Sequence, residues 1–207
     1  MTHVIGIILA GGKSSRMGQD KSAMMFKGKS LLQSMIATLS GTQVSNVVIN
    51  CNVTIAEQHS NNNLQHDSTH QTLSVIEDII LHKGPLSGIH SALVNFPNAS
   101  LLVVPVDIPL MTTASLNALI SAAHCAGANC RFAPVSGNNG VSKTKPCALP
   151  LFIHNNSETR QALEYTLRQT DKYSVVHFCA QFPIVEVTLQ NESELTNINY
   201  PWQLSTI

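Results

Sequence analysis

Short apolar runs rich in valine and isoleucine recur along the chain at 4–9, 47–49, 73–76, 101–106 and 184–187. Each has the length of a strand, and near-continuous apolar character is that of strands buried on both faces. Between them lie segments with helical spacing. Leu31, Leu32, Met35, Ile36 and Leu39 share one helical face, and Ser30 is placed to cap the first turn. Ser91–Phe96, Ser115–Ala123 and Ser157–Leu167 are further predicted helices. This alternation predicts an α/β fold in three layers, a mostly parallel central sheet with helices on both faces. Ligands of such sheets bind beyond the carboxyl ends of the strands. The residues just after each apolar run are therefore the ones whose chemistry matters. The order of the strands is not encoded in the pattern.

Two polar stretches interrupt the alternation. Residues 54–72 are rich in Asn, Gln and His and read as a long surface connection with a short helical start. His66 and His70 have the i, i+4 spacing of metal ligands, but Asp67 is the one acidic neighbour, and the bland reading as surface histidines is preferred. Ser136–Lys145 reads as a mobile loop between the apolar segments 132–135 and 147–153. With no repeat or linker in view, residues 1–207 are expected to form a single domain.

Composition narrows the function classes. Formal net charge is zero and 12% of residues are charged, so no global basic field attracts nucleic acid. Anion binding must be local. Cys51, Cys125, Cys130, Cys147 and Cys179 form no C-x-x-C pair and suit free thiols in a reducing cytoplasm. The apolar start at Val4–Ala10 lacks a preceding Lys or Arg, so a first strand is expected rather than a signal peptide. No apolar stretch nears the roughly 20 residues that span a bilayer.

The first strand empties into Leu9-Ala-Gly-Gly-Lys-Ser-Ser-Arg-Met-Gly-Gln-Asp-Lys21. Gly11 and Gly12 let a ligand approach the backbone, whose N–H groups can form an anion nest. Lys13, Arg16 and Lys21 add positive charge, Arg16 with a bidentate fork for phosphate oxygens. The run fits neither G-x-x-x-x-G-K-[ST] nor G-x-G-x-x-G. The residues alone indicate a phosphate-binding loop, with a flexible surface loop as the plain alternative.

Leu9–Lys21 resembles the L-A-G-G-x-S-x-R-M-G-x-D-K signature of the molybdenum cofactor guanylyltransferases, the MobA family, within the Rossmann-like nucleotidyltransferases. Further pieces follow in the family's order: Val48–Asn52, Val75–Asp78, Gly84–Gly88, Val103–Pro109 and Asn197–Pro201. The resemblance implies a Rossmann-like fold and an Mg2+-dependent enzyme. That enzyme would transfer GMP from GTP to molybdenum-bound molybdopterin, releasing pyrophosphate. It implies a nucleotide half at about 1–110 and an acceptor half at about 111–207. GTP would be met by Leu9, Ala10, Gly11, Gly12, Lys21, Asn50, Asp78 and Asp107, the metal by Asp107, and the acceptor by Asn197 and Asn199. Lys13, Arg16, Lys21 and Asp107 would carry the chemistry. Molybdoenzyme apoproteins or other cofactor-assembly proteins are further candidate partners, with no nucleic acid, no membrane and a cytoplasmic location expected.

The residues keep their plainer readings beside these. Asp107 ends an apolar strand and suits magnesium completed by substrate phosphates, or else caps the turn before Pro109. Asp78 can accept from guanine N1–H and N2–H2, or simply form a turn. Asn50 either fixes a base edge or terminates a strand. Gly84 and Gly88 around Pro85 read as a tight turn that permits close helix packing. Lys21 beside Asp20 would contribute little as an exposed pair. Cys147 reads as a small core residue and no thiol nucleophile is expected. Departures from the family pattern are Ser30 in place of a frequent Pro, Lys145–Leu149, and Tyr200 with Trp202-Gln203 in place of Thr and two acids. The later ones fall in the half expected to meet the pterin. The rival functions are a related cytidylyl or sugar-phosphate nucleotidyltransferase and a non-catalytic carrier of GTP or cofactor.

Overall fold

A computed structural model describes residues 3–11, 21–51, 73–133, 148–169 and 173–205. Strand β1 (His3–Leu9) is the first of the central sheet, and a small hairpin, β2 (Met25–Phe26) and β3 (Lys29–Ser30), follows. Its turn has Lys27 at φ 49° and Gly28 at φ 82°, the paired positive angles that match the twist of a two-residue hairpin. It delivers Ser30 as the N-cap of α1 (Leu31–Ser40) in a reciprocal capping box with Gln33. Then come β4 (Asn46–Asn50), β5 (Ser74–Ile76), α2 (Pro85–Asn95), β6 (Ala99–Pro105) and α3 (Thr113–Ala126). The chain continues through β7 (Asn129–Phe132), β8 (Leu151–Ile153), α4 (Ser157–Gln169), α5 (Val175–Cys179) and β9 (Ile184–Val187).

The seven-stranded sheet has the order β5-β4-β1-β6-β8-β7-β9. β5, β4, β1 and β6 run parallel, and β8 is antiparallel to both β6 and β7. The expected mostly parallel, three-layer sheet is what forms. Successive side chains of β1 and β6 point to opposite faces. Val4, Ile8, Leu102 and Val104 join α1 and α3 on one face. Ile5, Ile7, Leu101 and Val103 join α2, α4 and α5 on the other. Both faces are buried, which is why these strands are apolar throughout.

Local expectations change in detail. The helix expected from Ser91 starts at Pro85, because Gly84 (φ 63°) makes the turn and Gly88 lies inside the helix. Proline at a helix start sacrifices no hydrogen bond, and so conceals the first turns from a periodicity reading. β7 precedes the apolar 132–135 segment and meets it only at Phe132, whereas β8 falls within 147–153, with pairing partners that local pattern does not specify. The short helix α5 has too few turns to show a period. His66, His70 and Ser136–Lys145 lie outside the described residues. No helix among the described residues is long and apolar enough to cross a membrane.

From β1 the chain proceeds to β4 and β5 on one side, then returns through α2 to β6 on the other. The reversal opens a crevice beyond the carboxyl ends of β1 and β6. All the described candidate residues of the nucleotide set lie along this edge.

Candidate nucleotide site

The ends of β4, β1 and β6 are laced together. Ala10 N–H donates to the Asn50 carbonyl at 2.9 Å, and Val106 N–H donates to the Leu9 carbonyl at 3.2 Å. Leu9 and Ala10 are buried and Gly11 is exposed, so the backbone emerges into the crevice at Gly11. Gly12, Lys13 and Arg16 lie outside the described residues.

At one end of the edge stand Asn50 and Asp78. Asn50 is buried, and its Nδ2 donates to Asp78 Oδ1 at 3.0 Å and to the Ile76 carbonyl at 3.4 Å. Both partners are acceptors, which decides the orientation of the amide. The Asn50 amide nitrogen thus holds both Asp78 and the end of β5. Burial pushes the Asp78 carboxyl above its ordinary range, and the Asn50 hydrogen bond pulls it partly back.

Gly88 explains the close fit. A Cβ at this position would stand 2.1 Å from Asn50 Oδ1 and 2.7 Å from Leu9 Cδ2. Glycine costs a helix interior about 0.5–1 kcal/mol relative to alanine, and here it admits the Asn50 amide against α2. The segment after Asp78 is also tied to α2. Ser91 Oγ accepts from Ile79 N–H at 2.8 Å, and Ser87 Oγ accepts from Lys83 N–H at 3.1 Å. Neither serine stood out in the sequence. Their one signal was polar character on an otherwise buried helical face.

At the other end, Lys21 Nζ donates to Asp107 Oδ2 at 3.0 Å and to Asn199 Oδ1 at 3.1 Å. Asp107 lies just after β6 and its carbonyl accepts from Ile198 N–H at 2.8 Å, which stitches the C-terminal segment to the sheet edge. Asn199 therefore stands beside the Lys21–Asp107 pair, while Asn197 is exposed on the same segment. The pair is largely shielded, with side-chain exposures of 25% for Lys21 and 15% for Asp107. Asp107 Oδ1 is buried and has no hydrogen-bond partner among the described residues.

A buried carboxylate oxygen without a donor calls for a cation. One carboxylate completed by phosphate oxygens is a set that magnesium accepts. No group of three or more His, Cys, Asp or Glu residues suited to a metal occurs among the described residues. The arrangement fits an ion that arrives with a phosphate ligand better than one in an all-protein cage. Burial pushes the Cys179 thiol up to about 11, the reverse of a thiol poised for nucleophilic attack, and Cys147 lies outside the described residues.

Across the edge, the β5 end and the β6 end are three strand spacings apart, roughly 14 Å. A held carboxylate marks one end, and a carboxylate with its lysine marks the other. Gly11, just beyond the end of β1, lies between them.

Known proteins share this framework. The family model for the MobA-like NTP transferase domain matches residues 6–180. A molybdenum cofactor guanylyltransferase of Xanthomonas euvesicatoria is 29% identical over 98% of this chain and 93% of its own length. A probable molybdenum cofactor guanylyltransferase of Flavobacterium johnsoniae is 27% identical, covering 100% of this chain and 97% of the relative. Among solved structures, molybdopterin-guanine dinucleotide biosynthesis protein A of Archaeoglobus fulgidus superposes with a TM-score of 0.73 at 20% identity, covering 98% and 95% of the two chains. The 4-diphosphocytidyl-2C-methyl-D-erythritol synthase of Anaerococcus prevotii superposes at 0.72 with 11% identity over 99% and 94%, a likeness of fold. The parallel strand core, the reversal beside β1 and the match over most of the sequence lead to one conclusion: this chain belongs to the family of MobA-like NTP transferase domains.

Proposed function

We propose that the protein is a guanylyltransferase that moves GMP from GTP to molybdenum-bound molybdopterin and releases pyrophosphate. The observation that carries the proposal is the polarity of the sheet edge, with Asp78 held by Asn50 at one end and Asp107 with Lys21 at the other. A nucleotide laid along this edge puts its base at Asp78 and its phosphates over the Gly11 loop and Asp107. A carboxylate accepts well from guanine N1–H and N2–H2. The names of the full-length relatives support the same base and acceptor.

In the reaction an acceptor phosphate oxygen bonds to the α-phosphorus, and the bond from that phosphorus to the pyrophosphate oxygen breaks. The nucleophile is already anionic, so no strong general base is required. The protein supplies alignment and charge. Lys21, fixed between Asp107 and Asn199, places a point charge where phosphate oxygens gather. Lys13, Arg16 and the backbone of Gly11 and Gly12 serve the β and γ phosphates in this reading. Asp107 would hold Mg2+, which stabilises negative charge on phosphate oxygens. In this reading Asn197 and Asn199 serve the acceptor, with residues 1–110 handling mainly the nucleotide and 111–207 the acceptor.

Incubation with each nucleoside triphosphate, Mg2+ and molybdopterin, followed by pyrophosphate and product mass, tests the proposal. GTP should be consumed and a guanine dinucleotide formed. Preference for CTP would instead assign a cytidylyltransferase. Tight GTP binding without pyrophosphate release would assign a carrier.

A further inference from the structure

On the C-terminal segment that carries Asn199, two aromatic rings lie stacked and exposed. Tyr200 and Trp202 have ring centroids 6.1 Å apart and planes inclined by 14°. They are 45% and 64% exposed. Large apolar side chains left in water together are informative in a way that a single one is not. The turn beneath them is well tied. Gln203 Oε1 accepts from Asn199 N–H at 2.7 Å and from Tyr200 N–H at 2.8 Å, and Gln203 N–H donates to the Tyr200 carbonyl at 3.1 Å. The turn that presents the rings thus also fixes the backbone of Asn199, whose side chain holds Lys21. Even fully extended, the chain from Asn199 carries the Trp202 Cα no more than about 11 Å away.

We propose that Tyr200 and Trp202 form a stacking platform for the planar fused-ring heterocycle of the acceptor. The inference rests on the guanylyltransferase reading and adds a recognition element to it. The order of the sheet separates this platform from the base. Asp78 follows β5, with β4 and β1 between that strand and β6, whereas the platform belongs to the segment stitched to Asp107 after β6. An acceptor stacked here lies at the Asp107 end of the edge, apart from the base at Asp78, and its phosphate can reach the α-phosphorus without crossing the base site. An exposed indole face offers the broad dispersion contact that a fused heterocycle matches, irrespective of the pattern of groups on its rim. Asn197 and Asn199 supply amides for that rim.

Trp202 is the sole tryptophan of the chain, so its fluorescence reports on the platform directly. Wild type, Trp202→Leu and Trp202→Phe are compared in steady-state transfer with GTP, Mg2+ and molybdopterin. Trp202→Leu should raise the KM for molybdopterin roughly tenfold or more, the scale of a lost aromatic stack. The KM for GTP should stay unchanged, and Trp202→Phe should recover most of the loss. Titration of wild type with molybdopterin should quench the fluorescence saturably. An unchanged acceptor KM in Trp202→Leu, or equal losses in the Leu and Phe variants, overturns the platform while leaving the guanylyltransferase reading intact. A wild type that forms no guanylylated product refutes that reading instead. The titration then decides the platform, and absence of saturable quenching overturns it.

Discussion

Gly88→Ala tests the geometry of the site with the smallest possible change. The substitution ordinarily favours a helix by up to about 1 kcal/mol. At Gly88 the added methyl would meet Asn50 Oδ1 at 2.1 Å, Leu9 Cδ2 at 2.7 Å and Asn50 Cγ at 2.8 Å. Asn50 is buried and anchored to Asp78 and Ile76, so it cannot turn aside without breaking those bonds. Overpacking of this kind costs about 1–3 kcal/mol. The lost hydrogen bond adds roughly 1 kcal/mol, which the gain in helix propensity about cancels. The expected net destabilisation is about 2 kcal/mol, a fall in Tm of roughly 4–8 °C for a chain of this size. The functional consequence is separate. With Asn50 displaced, Asp78 loses its positioning partner, and discrimination for guanine should weaken. Thermal or urea unfolding gives the first number, and kcat/KM for GTP over ITP gives the second. A variant of equal or greater stability with an unchanged GTP-to-ITP ratio would refute both the packing and the positioning argument.

Asp78→Asn should separate stability from recognition. Burial raises the folded-state pKa of Asp78 above 3.8, so as pH rises through the window between the two values the folded state holds the extra proton and stability declines. The asparagine avoids that cost. The variant should be more stable than wild type at neutral pH, with the advantage shrinking as the pH falls through that window and gone below 3.8, read from urea midpoints. It should also lose about tenfold in kcat/KM for GTP, and less for ITP, which lacks the N2 amine; an equal loss on both would contradict amine recognition. Asp107→Ala should fold normally yet lose at least about a hundredfold in transfer rate, and near-normal turnover in Mg2+ would remove Asp107 from the metal assignment.

Much of the framework was written in local pattern. The apolar runs at 4–9, 47–49 and 101–106 correspond to β1, β4 and β6, because strands buried on both faces must be apolar at every position. Ser30 caps α1 as expected, since a cap depends on residues only three apart. The motifs placed Asn50 at the end of a strand and Asp78 and Asp107 just after strands, at the edge where a parallel sheet binds ligands. What tertiary structure alone decided is which of these residues meet. Lys21 reaches Asp107 across 86 positions and Asn199 across 178, and Asn50 holds Asp78 across 28. The close approach of Gly88 to Asn50 likewise depends on how α2 sits against the ends of β1 and β4. Strand order and the antiparallel β8 belong to the same class. Periodicity specifies which face of an element is buried, but the partner on that face is chosen by the packing of the whole chain.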